Sequence, residues 1–230
     1  TAAPATKLKA FAVPQPRPLP VIVLADVSGS MSEDGKIDVL NNALKSMILS
    51  VGSESKLRAE IQVGLITFGG EAAKEHLPLV AADRIAGVEA FRAQGRTPMG
   101  SAFEMARLLL EDKEKVPARS YRPVLILVSD GAPTDDWEEP LAALKGSERA
   151  QKASRFAMAI GADADRAMLG QFINDRETPV FEAHGARDIV KFFKAVTMSV
   201  VARSASTSPD QVLALDLGSD LSDDLDLDAL

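Results

Sequence analysis

Val21-Ile22-Val23-Leu24-Ala25-Asp26-Val27-Ser28-Gly29-Ser30-Met31 joins an unbroken apolar run to a short polar turn. Consecutive apolar residues with no polar alternation suit a strand covered on both faces. The turn places a carboxylate and two hydroxyls at alternate positions just past the end of that strand. The plan recurs at Val124-Leu125-Ile126-Leu127-Val128, which runs into Ser129-Asp130-Gly131. Two fully apolar strands, each ending in an aspartate, imply a buried parallel sheet whose carboxyl ends carry polar side chains.

The segments between these strands have helical spacing. Ile37, Leu40, Leu44, Met47/Ile48 and Val51 share one helix face. A second helix is expected from Pro98, with Met99, Ala102/Phe103, Ala106 and Leu109/Leu110 on its apolar face. Residues 137–152 and 165–173 read as further helices, and Ile189, Phe192/Phe193, Val196 and Val200 as a closing one. Ile61–Thr67 and Phe156–Ile160 read as strands and 179–183 as a last one; residues 73–80 follow Gly69-Gly70 as an antiparallel edge partner. This alternation predicts an α/β fold, doubly wound and Rossmann-like. Its central sheet is mostly parallel with one antiparallel edge strand, and helices cover both faces.

Charge divides the chain unevenly. The 230 residues hold 26 Lys+Arg and 33 Asp+Glu, a net charge of −7. No Lys, Arg or His follows Arg203, whereas Asp210, Asp216, Asp220, Asp223, Asp224, Asp226 and Asp228 do. Residues 1–203 are therefore neutral, and the imbalance belongs to the C-terminal segment. A neutral body argues against nucleic-acid binding, which needs a basic surface. No apolar run approaches the ~20 residues of a membrane span. The lack of cysteine excludes disulfides, thiolate metal sites and cysteine nucleophiles, and it accords with a cytoplasmic location.

The expected organisation has three parts. Residues 1–19 are a Pro-rich lead-in, because Pro14-Gln15-Pro16-Arg17-Pro18-Leu19-Pro20 suits neither helix nor inner strand. Residues 20–203 form the folded domain. Residues 204–230 are an acidic Ser/Asp/Leu tail, disordered or docked on a partner through its leucines.

Three loops carry candidate chemistry: Asp26-Val27-Ser28-Gly29-Ser30, Gly95-Arg96-Thr97-Pro98 and Ser129-Asp130-Gly131. Asp26, Ser28, Ser30, Thr97 and Asp130 supply two carboxylates and three hydroxyls, all hard oxygen donors. Mg2+ takes six such ligands at ~2.0–2.1 Å and keeps several as water. Mn2+ and Ca2+ are the alternative cations. Five protein donors leave about one position for an external ligand. Taken singly, each loop has a plainer reading: a polar turn, a helix cap at Thr97, an Asp-Gly turn. Three such loops converging on one sheet end favour metal.

Asp26-x-Ser28-x-Ser30, then Thr97, then Asp130-Gly131 resembles the metal-ion-dependent adhesion site of von Willebrand factor A domains, with all five positions filled. The resemblance spans about residues 20–203. Phe68-Gly69-Gly70, Arg122-Pro123-Val124 and Ser129 through Trp137 look like the bacterial TerY-like, tellurium-resistance-type branch. The resemblance implies a non-catalytic, metal-dependent protein-binding module. Ser28, Ser30 and Thr97 would bind the metal directly or through water, Asp26 and Asp130 would hold its waters, and an acidic residue of a protein partner would complete the shell. It further implies a stress-response setting with partner kinases and phosphatases. The acidic tail would be a docking segment or a competitor for the open metal position.

The alternative is a Mg2+-dependent phosphohydrolase of haloacid-dehalogenase type, with Asp26 as nucleophile. That chemistry wants a second acid two residues on, where this chain has Ser28. It also wants a lysine at the site, and residues 98–123 offer only Lys113 and Lys115. Asp135, Asp136, Glu138 and Glu139 are expected to favour the start of the helix beyond Trp137. Trp137 reads as core, Asp163 and Asp165 as caps, and His76 and His184 as solvated or satisfied side chains.

Overall fold

In the computed structural model, described over residues 16–54, 58–173, 175, 177–211 and 215, strands and helices alternate along the chain. They are β1 (Arg17–Asp26), α1 (Lys36–Ser53), β2 (Ala59–Gly69), β3 (Ala72–Ala81), α2 (Met99–Glu111) and β4 (Val124–Ser129). Then come α3 (Glu138–Gly146), β5 (Ser154–Ile160), α4 (Arg166–Ile173), β6 (Phe181–Ala183) and α5 (Ala186–Ala205). The sheet order is β3-β2-β1-β4-β5-β6. Every pair is parallel except the edge pair β2–β3. The expected fold class is therefore what the chain adopts.

Strand alternation sends side chains into two cores. Val21, Val23 and Ala25 of β1 join Val124, Ile126 and Val128 of β4 beneath α1 and α5. Ile22 and Leu24 join Leu125 and Leu127 beneath α2, α3 and α4. Both central strands are buried throughout their apolar runs, which explains why those runs lack polar alternation.

Three expectations need correction. First, Pro18 and Pro20 are not outside the sheet: β1 begins at Arg17 and pairs with β2 from Arg17↔Ala59, while pairing with β4 starts only at Val21. In a parallel strand, successive residues direct their backbone groups to opposite neighbours. The Pro18 carbonyl faces the β4 side, where it accepts the Tyr121 amide at 2.8 Å. The missing amides of Pro18 and Pro20 thus fall where there is no ladder to break. Second, the helix expected over 137–152 stops at Gly146, and Ala150–Lys152 forms a separate 3-10 turn. Third, α5 continues past 203, and the following residues fold back rather than leave as a linker. The Arg203 side chain donates to the carbonyls of Pro209 (3.0 Å) and Arg122 (2.9 Å), and the Arg122 amide donates to Asp210 Oδ1 (2.7 Å). Most of the acidic tail, residues 212–214 and 216–230, lies outside the described residues, as do residues 1–15.

β1 connects to β2 on one side of itself, and the chain later returns to β4 on its other side. The carboxyl ends of β1 and β4 therefore flank the point where strand order reverses, the place where sheets of this kind hold ligands. Asp26 ends β1, and Asp130 follows β4.

Candidate metal centre

The loops at this sheet end are joined by their backbones. Val27 donates its amide to Phe68 O (3.0 Å) and accepts from the Gln94 amide (2.8 Å). Gly29 donates to Gly95 O (3.0 Å), and Gly70 to Gln94 O (2.9 Å). Gly95 has φ +64°, and a Cβ there would lie 2.6 Å from Gly70 Cα, so any side chain would push the two loops apart. On the far side, the Thr134 amide donates to Thr97 O, and the Thr97 amide to Thr134 Oγ1, both at 3.0 Å. The Asp26, Thr97 and Asp130 loops thus form one rigid rim.

On this rim the side-chain oxygens are close together. Ser28 Oγ lies 3.1 Å from Ser30 Oγ, and Ser30 Oγ donates to Asp130 Oδ1 at 2.7 Å. Asp26 is wholly buried; Oδ1 accepts the Ser28 amide (2.8 Å) and Oδ2 accepts Ser129 Oγ (2.5 Å). Thr97 is buried beside Gly131, where an added Cβ would come within 3.9 Å of Thr97 Oγ1. Lys36 Nζ donates to Asp130 Oδ2 at 2.9 Å. Burial pushes the Asp26 carboxyl up to about 6, against the opposing pull of its hydrogen bonds to Ser129 and Ser28. Burial also pulls the Lys36 ammonium down, but its bond to Asp130 and the surrounding carboxylates outweigh this and raise it.

The donor set fits a hard divalent cation. An octahedral ion with oxygens at ~2.1 Å holds adjacent ligands about 3.0 Å apart, close to the Ser28–Ser30 separation. Among the described residues, no group of three or more His, Asp and Glu side chains is arranged to hold a metal.

Two participants were not assigned from sequence. Ser129 stood inside a quoted motif but had no role until its hydroxyl was seen to hold Asp26 Oδ2. Lys36 gave no signal, since its partner Asp130 lies 94 residues away in sequence, yet it does bring an ammonium to the site. Other residues take positions different from those expected. Asp135 serves α2 rather than α3: its Oδ1 accepts the Gly100 amide (2.9 Å) and its Oδ2 the Ser101 amide (3.0 Å). Helix α2 begins at Met99, after Pro98, and Thr97 makes no side-chain cap. Trp137 packs, half-buried, against the core beneath α2. Asp165 caps α4 through the Met168 amide at 3.0 Å. His76 Nε2 sits 2.8 Å from Glu89 O, with its ring edge-on to Phe91, while His184 is exposed.

Comparison with known proteins agrees with the fold. The family model of the von Willebrand factor type A domain matches residues 21–195. Among curated proteins, inter-alpha-trypsin inhibitor heavy chain H4 of Sus scrofa is 32% identical over 161 residues, covering 66% of this chain and 17% of its own. The chain thus spans under a fifth of that relative's length. Proximal thread matrix protein 1 from the mussel byssus, solved with a zinc-occupied MIDAS motif, superposes with a TM-score of 0.63 at 19% identity. That match covers 81% of this chain and 48% of the mussel protein. The pilus adhesin SpaC from Lactobacillus rhamnosus GG, in its open conformation, gives a TM-score of 0.68 at 16% identity, covering 83% and 31%. At these identities the two structures speak to the fold alone.

Proposed function

The chain belongs to the von Willebrand factor type A domain family, in general a family of non-catalytic interaction modules, and we propose that it captures a protein partner through a divalent cation held at the β1/β4 sheet end. The observation that carries this reading is the contiguous line of oxygens Ser28–Ser30–Asp130 beside buried Asp26, on loops fixed to one another. Ser28, Ser30 and Thr97 would hold the ion directly or through water, and Asp26 and Asp130 would hold its waters. When bound, the ion supplies a Lewis-acidic position for a partner's carboxylate. Mg2+ is the expected occupant, with Mn2+ or Ca2+ as substitutes.

The chain's own residues perform the remaining work. Ser129 and the Ser28 amide fix the Asp26 carboxylate, so its oxygens need no reorganisation when a ligand arrives. Ser30 and Lys36 likewise fix the buried Asp130 carboxylate. The phosphohydrolase alternative finds no support in the family match. Both Asp26 oxygens already accept hydrogen bonds, and Ser28 stands where an acid would be needed.

A finer assignment to the TerY-like, tellurium-resistance-type branch, with a cytoplasmic setting and kinase or phosphatase partners, draws support from the Phe68-Gly69-Gly70 and Ser129-to-Trp137 segments. In the structure these segments build the rim: Phe68 O holds Val27, and Asp135 holds the start of α2. The test is a pull-down from the native host with Mg2+ or with EDTA, using wild type and Ser30→Ala. Capture is expected only for wild type with Mg2+. Capture unaffected by chelator and by the substitution would overturn the reading.

A further inference from the structure

Lys36 is the first residue of α1, directly after Asp34 (φ 51°) and Gly35 (φ 69°). Two successive residues in the left-handed region turn the chain sharply before the helix begins. Beyond that turn, the Lys36 ammonium reaches the carboxylate of Asp130, 94 residues away in sequence. The Asp130 side chain is fully buried, and that of Lys36 is 18% exposed. Glu33 and Asp34 also lie near Lys36, but both are exposed and screened by water.

The buried charge at the site follows directly. Asp26 and Asp130 contribute two negative charges and Lys36 one positive charge. A dication would turn this into a single uncompensated positive charge. One external carboxylate would then bring the site to neutrality. Without Lys36, the two aspartates would balance a dication by themselves, and an added carboxylate would overcharge the site. Lys36 and the cation would also share one carboxylate, Asp130, where the low local dielectric strengthens their repulsion.

We propose that Lys36 couples metal loading to capture of an acidic ligand: it weakens the hold on a dication alone and leaves the loaded site a positive charge that an incoming carboxylate cancels. This rests on the metal-dependent reading above. It makes Lys36 a positioning and charge-setting residue rather than a metal ligand.

The experiment is calorimetric titration of Mn2+ into the full chain, in chloride and again in excess acetate at matched ionic strength. Wild type, Lys36→Met, Lys36→Gln and Lys36→Arg are compared, with correction for acetate binding to free Mn2+. Lys36→Gln keeps a donor for Asp130 without charge, so it carries the test if Lys36→Met fails to fold. The neutral variants should bind Mn2+ about tenfold more tightly in chloride, the order expected for removing one nearby charge. They should also lose most of the gain that acetate gives wild type. Lys36→Arg should follow wild type. A neutral variant that folds, binds Mn2+ no more tightly than wild type and keeps the acetate gain would overturn the Lys36 inference while leaving the metal site standing. No Mn2+ binding by any of the four proteins would overturn both readings.

Discussion

Asp26 is fully buried, and its two carboxylate oxygens accept hydrogen bonds from Ser28 and Ser129, yet burial still pushes its pKa to about 6. An acid whose folded pKa lies above its unfolded value binds the extra proton in the folded state. The resulting penalty is absent below pH 3.8 and complete above about 6. In chelator, wild-type stability should therefore fall as pH rises across that window, by about 2–3 kcal/mol. Asp26→Asn should flatten this part of the profile and raise the melting temperature at pH 7. Its amide can still accept the Ser28 N–H and donate to Ser129 Oγ. The same substitution should abolish Mn2+ binding in calorimetry. Gain of stability with loss of binding would mark Asp26 as kept for its charge. Ser28, Ser30, Thr97 and Asp130 could be nominated from sequence because each follows a readable strand end or precedes a readable helix. Ser129 and Lys36 could not, because their roles depend on partners about a hundred residues away.

At the scale of elements, α2 shows what spacing can and cannot reveal. Its apolar face was legible from Met99 to Leu110, but its cap is Asp135, supplied by the loop after β4. A carboxylate accepting two amides at a helix start satisfies unpaired donors and opposes the positive end of the helix. Asp135→Ala should cost about 1–2 kcal/mol by urea denaturation. It should also weaken Mn2+ binding through Thr97, which lies two residues before the helix start at Met99. Asp135→Asn, which keeps one acceptor oxygen, should recover part of both losses. β1 teaches the complementary lesson. Proline chemistry correctly says that Pro18 and Pro20 have no amide to give, but only the pairing shows that the ladder with β4 starts beyond them, at Val21.

For the whole molecule, the two ends of the sheet have different tasks. One end carries the oxygen-lined rim. The other carries a brace in which buried Arg203 ties α5 to Arg122 and Pro209, and Asp210 meets the Arg122 amide. The described part of the tail therefore starts at the end of the sheet remote from the candidate metal centre. Leu215 packs against the core, and residues 216–230 beyond it are still long enough in contour, at ~3.3 Å per residue, to span the ~30 Å length of a ten-residue strand. If the acids beyond Leu215 compete for the metal, truncation after Leu215 keeps both the Asp210 contact and the Leu215 packing and should raise metal-dependent partner capture. This is measurable by pull-down at fixed Mg2+. Unchanged or weaker capture would make the tail passive or a separate docking element. By itself, the sequence determined the alternation of strands and helices, the buried central strands and the list of oxygen-bearing loops. All of these follow from local periodicity and residue chemistry. Only the tertiary structure decided that β1 and β4 lie side by side, that Asp135 caps a helix preceding it in the chain, and that Lys36 stands against Asp130. Such pairings are set by how the sheet and its helices pack as a whole, and no short stretch of sequence carries them.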